Sequence, residues 1–345
     1  PEGLQSLNKK AFTYCNMIPS IILPSTTTTI GSEAFMDCYN LTSIEYKATT
    51  PPIVGDGAFN GVNKDNFTLK VPESSVSLYQ TANSWSEFKR FSANYDFSIS
   101  RKHIHTLNKE YSKTYLLRVP QGMQWEVENL PEWVTVSPAS GVGRTEVKIT
   151  VKEMKSSDVG NFSTEEWNNG YHSTGTYEGH SGEILFLLKD KDYRVKMDVE
   201  QYNYDYSDGD VKVNQRATKG TGVNIVFMSD CFDARDIATG KYLDGIDEAI
   251  KYYFAIEPYK SYKEYFNIYT VFGMSDESGM GTVNTVKDAK FGSQYSLDGI
   301  APNTEITYEY AMKSESVNEQ NLNRTLVVMV ENTEDYGGIC YMWGD

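Results

Sequence analysis

The sequence predicts a multidomain chain: a short β-solenoid, an antiparallel β-sandwich, then an α/β domain with a mainly parallel sheet. Three observations carry this. An Ala-Phe pair returns at Ala11, Ala34 and Ala58, about every 23 residues, the sign of stacked coils. Short alternating segments such as "YLLRV", "WEVEN" and "EVKITV" follow, separated by Gly, Pro and Ser turns, as in a sandwich. Beyond them "VNIVFMSD", "FNIYTVFG" and "TLVVMVEN" are apolar runs with a helical period between the first two, the order of a sheet buried on both faces. The expected domains are 1–92, 93–202 and 203–345.

Composition supports packed cores: the 345 residues are 39% hydrophobic and 13% aromatic, too apolar for a disordered chain. A net charge of −15 argues against nucleic acid as partner, because phosphate binding needs a basic face. No apolar run approaches the ~20 residues of a membrane span. No signal peptide is visible, and Pro1 reads as the trimmed start of a mature or recombinant fragment. The cysteines Cys15, Cys38, Cys231 and Cys340 contain no C-x-x-C pair, which excludes a zinc site of the common cysteine spacing. His103, His105, His172 and His180 are never followed by Glu. Walker, G-x-S-x-G and dinucleotide fingerprints are missing too. The chain therefore carries no complete catalytic constellation.

In the first region the strands read "SIIL", "SIEY" and "TLKV", one per coil. Cys15 and Cys38 hold the same position on successive coils, so they form either a disulfide or a ladder of buried thiols. The pattern A-F-x-x-C-x-x-L-x-x-I, complete from Ala34 to Ile44, resembles the BspA-like leucine-rich repeats of Bacteroidetes surface proteins. In 71–91, Val76, Tyr79, Trp85 and Phe88 are spaced to form a helix that covers the last coil. Such arrays bind proteins or act as spacers.

In the second region "GMQWEVENLPEWVTVSPASGVGRTEVKITV" resembles the BACON module, a β-sandwich with a proposed role in carbohydrate binding. Trp125 and Trp133 stack on sugar rings if exposed, but a strand tryptophan in a small sandwich usually fills the core. The polar stretch 156–181 reads as a long loop, flexible or a binding tip, and Trp167 on it is a second candidate glycan contact. His103 and His105, two apart in "KHIHT", share one strand face. A metal would need a third ligand, so surface or half-buried histidines are the plainer reading.

In the third region Asp205, Asp208 and Asp210 lack EF-hand spacing and read as a solvated acidic loop. "GKYLDGIDEAIKYYFAIEPY" places Tyr242, Leu243, Ile246, Ala249, Ile250 and Tyr253 on one helical face, ended by Pro258. "VFMSDCFDARDI", "YFAIEPYKSYKEYFNIYTV", "SDESGMGTVNT" and "VVMVENTEDYGGICYM", in that order, resemble the bacterial IgA-peptidase family of zinc metallopeptidases. In that family a helix with an H-E-x-x-H-type motif follows the Tyr-Gly-Gly strand. The resemblance thus implies a truncated α/β domain, with zinc expected in the complete parent, no cofactor in this chain, and this chain alone inactive. It also implies that Tyr336, Gly337, Gly338 and Met342 belong to an edge strand that pairs with substrate backbone. An ordinary hairpin turn after Val330 is the alternative. A half-domain of this kind should leave Ile225, Phe227, Val328 and Val330 exposed. Asp230, Asp233, Asp276 and Glu277 would suit calcium or magnesium better than zinc, but read more simply as caps or salt-bridge partners.

Two functions follow. The first is a fragment of a secreted or cell-surface zinc metallopeptidase acting on a protein or peptide substrate, with the first two modules as adhesive or spacing arms. The second is a surface adhesion or carbohydrate-binding protein without catalysis, taking a host glycan or protein ligand. By resemblance the compartment is extracellular, cell-surface or periplasmic.

Overall fold

The computed structural model describes residues 3–333, apart from 158, 169–170, 192, 205–206, 283–284, 297–298 and 301; the side chains of 165–168, 171–173, 296 and 299 also lie outside the description. The described chain is β-rich, with several sheets and few helices. It divides into two compact units. One runs to Ser98 and includes Arg118–Gly122; the other comprises Ile99–Leu117 and the chain from Met123 onward.

The first unit follows its repeat. Ser20–Leu23, Ser43–Tyr46, Thr68–Pro72 and Arg90–Asn94 form a parallel sheet. Ile21 pairs with Ile44, Ile44 with Leu69, and Leu69 with Phe91. Across each coil the phenylalanines of the Ala-Phe pairs stack, Phe12 on Phe35 at 5.3 Å and Phe35 on Phe59 at 5.5 Å. Glycine is required where coils touch: a Cβ on Gly31 would lie 2.6 Å from the Lys9 nitrogen, and one on Gly55 2.5 Å from the Ser32 nitrogen. Cys15 and Cys38 are both free thiols, and Cys38 donates to the Phe12 carbonyl. The closing helix is shorter than the sequence spacing suggests, spanning only Val76–Thr81. Tyr79, Trp85 and Phe88 are still buried against the last coil. Tyr79 and Trp85 are also anchored by donating to carbonyls, Tyr79 to those of Ala48 and Thr50 and Trp85 to that of Pro52.

In the second unit, β1 (His103–Thr106), β2 (Tyr111–Arg118) and β3 (Tyr193–Tyr202) belong to two sheets. Strand β2 pairs antiparallel with Thr145–Val151, which also pairs with Val134–Ser137. In the other sheet β1 runs parallel to β3, which pairs antiparallel with Tyr171–Leu188. The stretch expected to be a loop is a hairpin instead: Gly160–Asn168 pairs with Tyr171–Leu188 from Gly160↔Gly179 to Asn168↔Tyr171. Its Thr, Tyr and Trp content suits strands, but polar residues on both faces hide the period of two.

The remainder is a four-stranded sheet in the order β4 (Val211–Gln215), β6 (Phe266–Val271), β5 (Val223–Asp230), β7 (Leu326–Glu331). Strands β6, β5 and β7 are parallel and β4 is the antiparallel edge. Its cover includes the helices α1 (Ala234–Ala238), α2 (Lys241–Tyr253) and α3 (Thr304–Ala311). Alternate residues of β5 face opposite ways. Ile225 and Phe227 pack with Ala234, Ile237, Tyr242 and Ile246 of α1 and α2. Val226 and Met228 pack with Tyr310 and Ala311 of α3. Both faces are therefore covered, which corrects the expectation of exposed apolar surface: Ile225, Phe227 and Val328 are buried and Val330 is half-buried. Helices within the chain supply the cover.

Candidate functional site

The chain leaves β5 over one face to reach β6, and leaves β6 over the other face to reach β7 on the far side of β5. In open α/β sheets such a reversal opens a crevice at the carboxyl ends of the strands, where ligands bind. Here those ends carry Asp230, Cys231 and Glu331. Asp230 pairs with Glu331 across β5 and β7. One ligand atom of each of these three buried residues lies within 4.8 Å of the others.

Asp230 is a structural hub. Its Oδ1 accepts from the Cys231 amide at 2.8 Å and the Ser275 hydroxyl at 2.9 Å. Its Oδ2 accepts from the Phe291 amide at 3.1 Å and the Ser293 amide at 3.0 Å. The carboxylate thus ties two loops to the end of β5. Glu331 accepts from the Ser293 hydroxyl at 2.8 Å and is approached by the Cys231 thiol at 3.9 Å. Burial, with the charge of Asp230 beside it, pushes the Glu331 carboxyl up to about 8, so this side chain carries a proton at neutral pH.

Cys231 sits between strand and helix with φ +66, a left-handed backbone that a non-glycine residue rarely adopts. A strained strand-to-helix turn is where some hydrolases place a nucleophile. The thiol does not qualify. It is fully buried, and burial together with Asp230 and Glu331 pushes it up, whereas a nucleophilic cysteine needs an electropositive, accessible setting.

Catalytic zinc needs three protein ligands, an open position for water and deprotonated donors. The crevice does not meet these demands, since both Asp230 oxygens are committed to donors and Asp230, Cys231 and Glu331 are all buried, which leaves no open position for water. Nor do the described histidines converge there. His105 offers Nδ1 to Asp233 and Nε2 to Glu200, His103 is 65% exposed beside Asp198, and the His180 ring lies against Trp133. The described residues do not fit zinc.

A cleft of about 720 Å³ opens beside the crevice, lined on one side by Arg101, Lys102, His103 and His105 and on the other by Asp233, Asp276, Glu277, Ser278, Lys287 and Asp288. Its carboxylates are engaged. Asp276 accepts from the Tyr111 hydroxyl at 2.7 Å and from Lys113, Glu277 and Asp288 each lie 3.2 Å from Arg101, and Asp233 caps α1. Asp208 is likewise held by Lys290 and Tyr310 rather than left in solvent. Asn332, just past β7, donates to the Cys231 carbonyl at 2.9 Å and to Asp236 and Ser278 at 3.2 Å, so crevice and cleft share one frame.

Of the residues singled out from sequence, His105 and Asp233 meet at 2.7 Å, and His103, Asp276 and Glu277 line the same cleft. Trp125 is 0% exposed and donates to the Thr145 hydroxyl, so no ring face is open to a sugar; the core reading holds for it. Trp167 has its backbone in the hairpin opposite His172, and its side chain lies outside the description. Tyr336, Gly337, Gly338 and Met342 lie outside the described residues. Sequence reasoning weighed Asp233 and His105 separately and passed over Glu200 and Glu331, because their partners are remote in the chain. The one available signal was a charged residue at the end of an apolar strand, which Asp230 and Glu331 share.

Two family comparisons give matches. Residues 1–108 match the BspA type leucine rich repeat region, in 6 copies. Residues 211–343 match IgA Peptidase M64. No curated protein gives a match. Among solved structures, a Bacteroides ovatus GH5 xyloglucanase in complex with a XXXG heptasaccharide aligns at 11% identity and a TM-score of 0.24, over 39% of this chain and 26% of that one. WR4, a C. elegans MSP family member, aligns at 8% identity and a TM-score of 0.20, over 32% of this chain and 100% of its own. The chain thus spans about a quarter of the xyloglucanase, and neither likeness is close enough to bear on fold or function. What the comparisons establish is a BspA-type repeat region at the front and an IgA peptidase M64 segment at the back.

Proposed function

We propose that this chain is part of a surface-directed zinc metallopeptidase, in which residues 203–345 belong to the hydrolytic domain. The substrate is a protein or peptide, and the imidazole ligands for zinc come from outside the described residues. The match of 211–343 to IgA Peptidase M64 carries this reading. The crevice at the ends of β5 and β7, braced by Asp230, supports it as the place where such a domain gathers its working groups. Residues 1–92 act as a solenoid arm and 93–202 as a BACON-like sandwich, which together space or attach the peptidase at a cell surface, in the extracellular space or in the periplasm. Tyr336, Gly337, Gly338 and Met342 remain the proposed substrate edge, and Trp167 the proposed glycan contact.

The test is peptide cleavage by the purified 345-residue chain with and without a zinc chelator. No chelator-sensitive cleavage is expected from it. Cleavage that the chelator stops would overturn the placement of the zinc ligands.

Adhesion without catalysis is the second reading, favoured by the exposed apolar residues of the first unit. Tyr14, Met17 and Tyr39 are left outside the coil packing, Met17 with 92% of its surface open. A glycan or host-protein array probed with the wild type and with Y14S/Y39S separates the two. Binding lost in that variant supports adhesion through the repeats, and binding kept by it removes them as the contact.

A further inference from the structure

We propose that His105 is a latch, set by pH, that fastens the two-sheet part of the second unit to its α/β part. His105 lies on β1, at the edge of its sheet, opposite Glu200 of β3. Its Nδ1 is 2.7 Å from Asp233 Oδ2 and its Nε2 is 3.4 Å from Glu200 Oε2. Asp233 is the N-cap of α1, and its other oxygen already accepts the amides of Arg235 and Asp236. The oxygen left over is the one that meets the imidazole. Glu200 Oε2 is further held by the Tyr202 hydroxyl at 2.6 Å.

Such a site asks for an imidazolium. The charged ring donates from both nitrogens, one to each carboxylate; the neutral ring has a single N–H and turns a lone pair toward the other oxygen. The groups facing it are Asp233 and Arg235 at the start of α1 and Glu200 and Tyr202 from β3; Asp236 lies behind Asp233 in the capping box, and His103 and Asp198 pair with each other farther along the same two strands. Burial and Arg235 work against the charge, while Asp233 and Glu200 favour it, and the net direction is upward from the ordinary value of 6.5. Asp233 is itself held low: burial opposes its charge, and His105 with the α1 amides more than compensates.

The sign follows. A histidine raised on docking stabilises the docked form fully below its ordinary value, and that contribution fades as pH climbs through the raised value. The other described polar ties of this joint join Arg101, Lys113 and Tyr111 to the 276–288 loop; burial opposes the charge of Lys113, which Asp276 and Asp288 hold up, and burial pushes Tyr111 up. Among these ties, His105 is the side chain whose ordinary value lies near neutrality. His105 and Asp233 both line the cleft, so releasing the latch frees one of its walls.

The experiment uses the full chain. Histidine-ring resonances are titrated by NMR between about pH 5.5 and 8.5, and amide exchange of α1 is followed over the same range, corrected for intrinsic rates. The His105 ring should titrate above 6.5 and move down in E200Q. Protection of the α1 amides should fall about tenfold across that titration, the usual weight of a charge-assisted hydrogen bond. H105Q should flatten the dependence, and H103Q should preserve it. A His105 ring that titrates at or below its ordinary value, flat protection in the wild type, or an unchanged profile in H105Q would each overturn the proposal. If H105Q fails to fold, the two wild-type measurements decide alone.

Discussion

Asp230 and Glu331 stand opposite each other on β5 and β7, yet Asp230 accepts four short hydrogen bonds while Glu331 accepts one and a long contact from a thiol. The unequal supply of donors explains how two carboxyl groups share a buried site. One is solvated by the protein; the other keeps its proton.

Glu331→Gln should therefore be nearly neutral at pH 7, within about 1 kcal/mol of the wild type, because the amide resembles the protonated acid. The acid also predicts a slope. With the carboxyl raised from 4.5 to about 8, the folded state holds a proton that the unfolded state releases. Stability should then fall between those two pH values by at most about 1.4 kcal/mol per unit, and level off above the upper one. Chemical denaturation across that window checks both points: a slope that survives in E331Q would show that another group causes it.

Asp230→Asn should behave in the opposite way. An amide nitrogen would be turned toward two of the four donors, and at least one buried N–H group would lose its acceptor. A loss of about 2–5 kcal/mol is expected, read as a lower denaturation midpoint, with the loops at Ser275 and Ser293 losing exchange protection first.

Cys231 tests the backbone. Glycine normally destabilises a protein relative to alanine by about 0.5–1 kcal/mol. At φ +66 the order should reverse, so that C231G is at least as stable as C231A. An alanine variant more stable than the glycine one would mean that the left-handed turn is not strained.

The repeat coils carry their own test. Gly55→Ala would drive a Cβ to within 2.5 Å of the Ser32 nitrogen, and backbone there cannot give way without separating two coils. A loss of about 1–3 kcal/mol, confined to the first unit, is expected. Trp125→Ala should cost the second unit about 3–5 kcal/mol as a core truncation, and calorimetry on the two variants should show different transitions affected.

Much of the frame could be read from the chain before its structure was known. Ser20–Leu23, Ser43–Tyr46 and Val223–Asp230 are strands with the sequence-expected bounds, because each combines a clear apolar pattern with a turn at either end. The hairpin from Gly160 was missed because Ser, Thr and Gly on both faces leave no contrast to read. The cover over Ile225 and Phe227 was underestimated, since α1 is only five residues long and shows no period of its own. The site was the least visible part. His105 meets a residue 128 positions away and Cys231 one 100 positions away, and nothing local to either residue encodes such a meeting.

Zinc content tests the central claim most directly. The 345-residue chain, loaded with zinc and then dialysed against a weak chelator, should retain far less than one equivalent, because both Asp230 oxygens are committed and Cys231 and Glu331 are buried beside them with no open position. One tightly held equivalent per chain would contradict the account and return the metal centre to the residues already present.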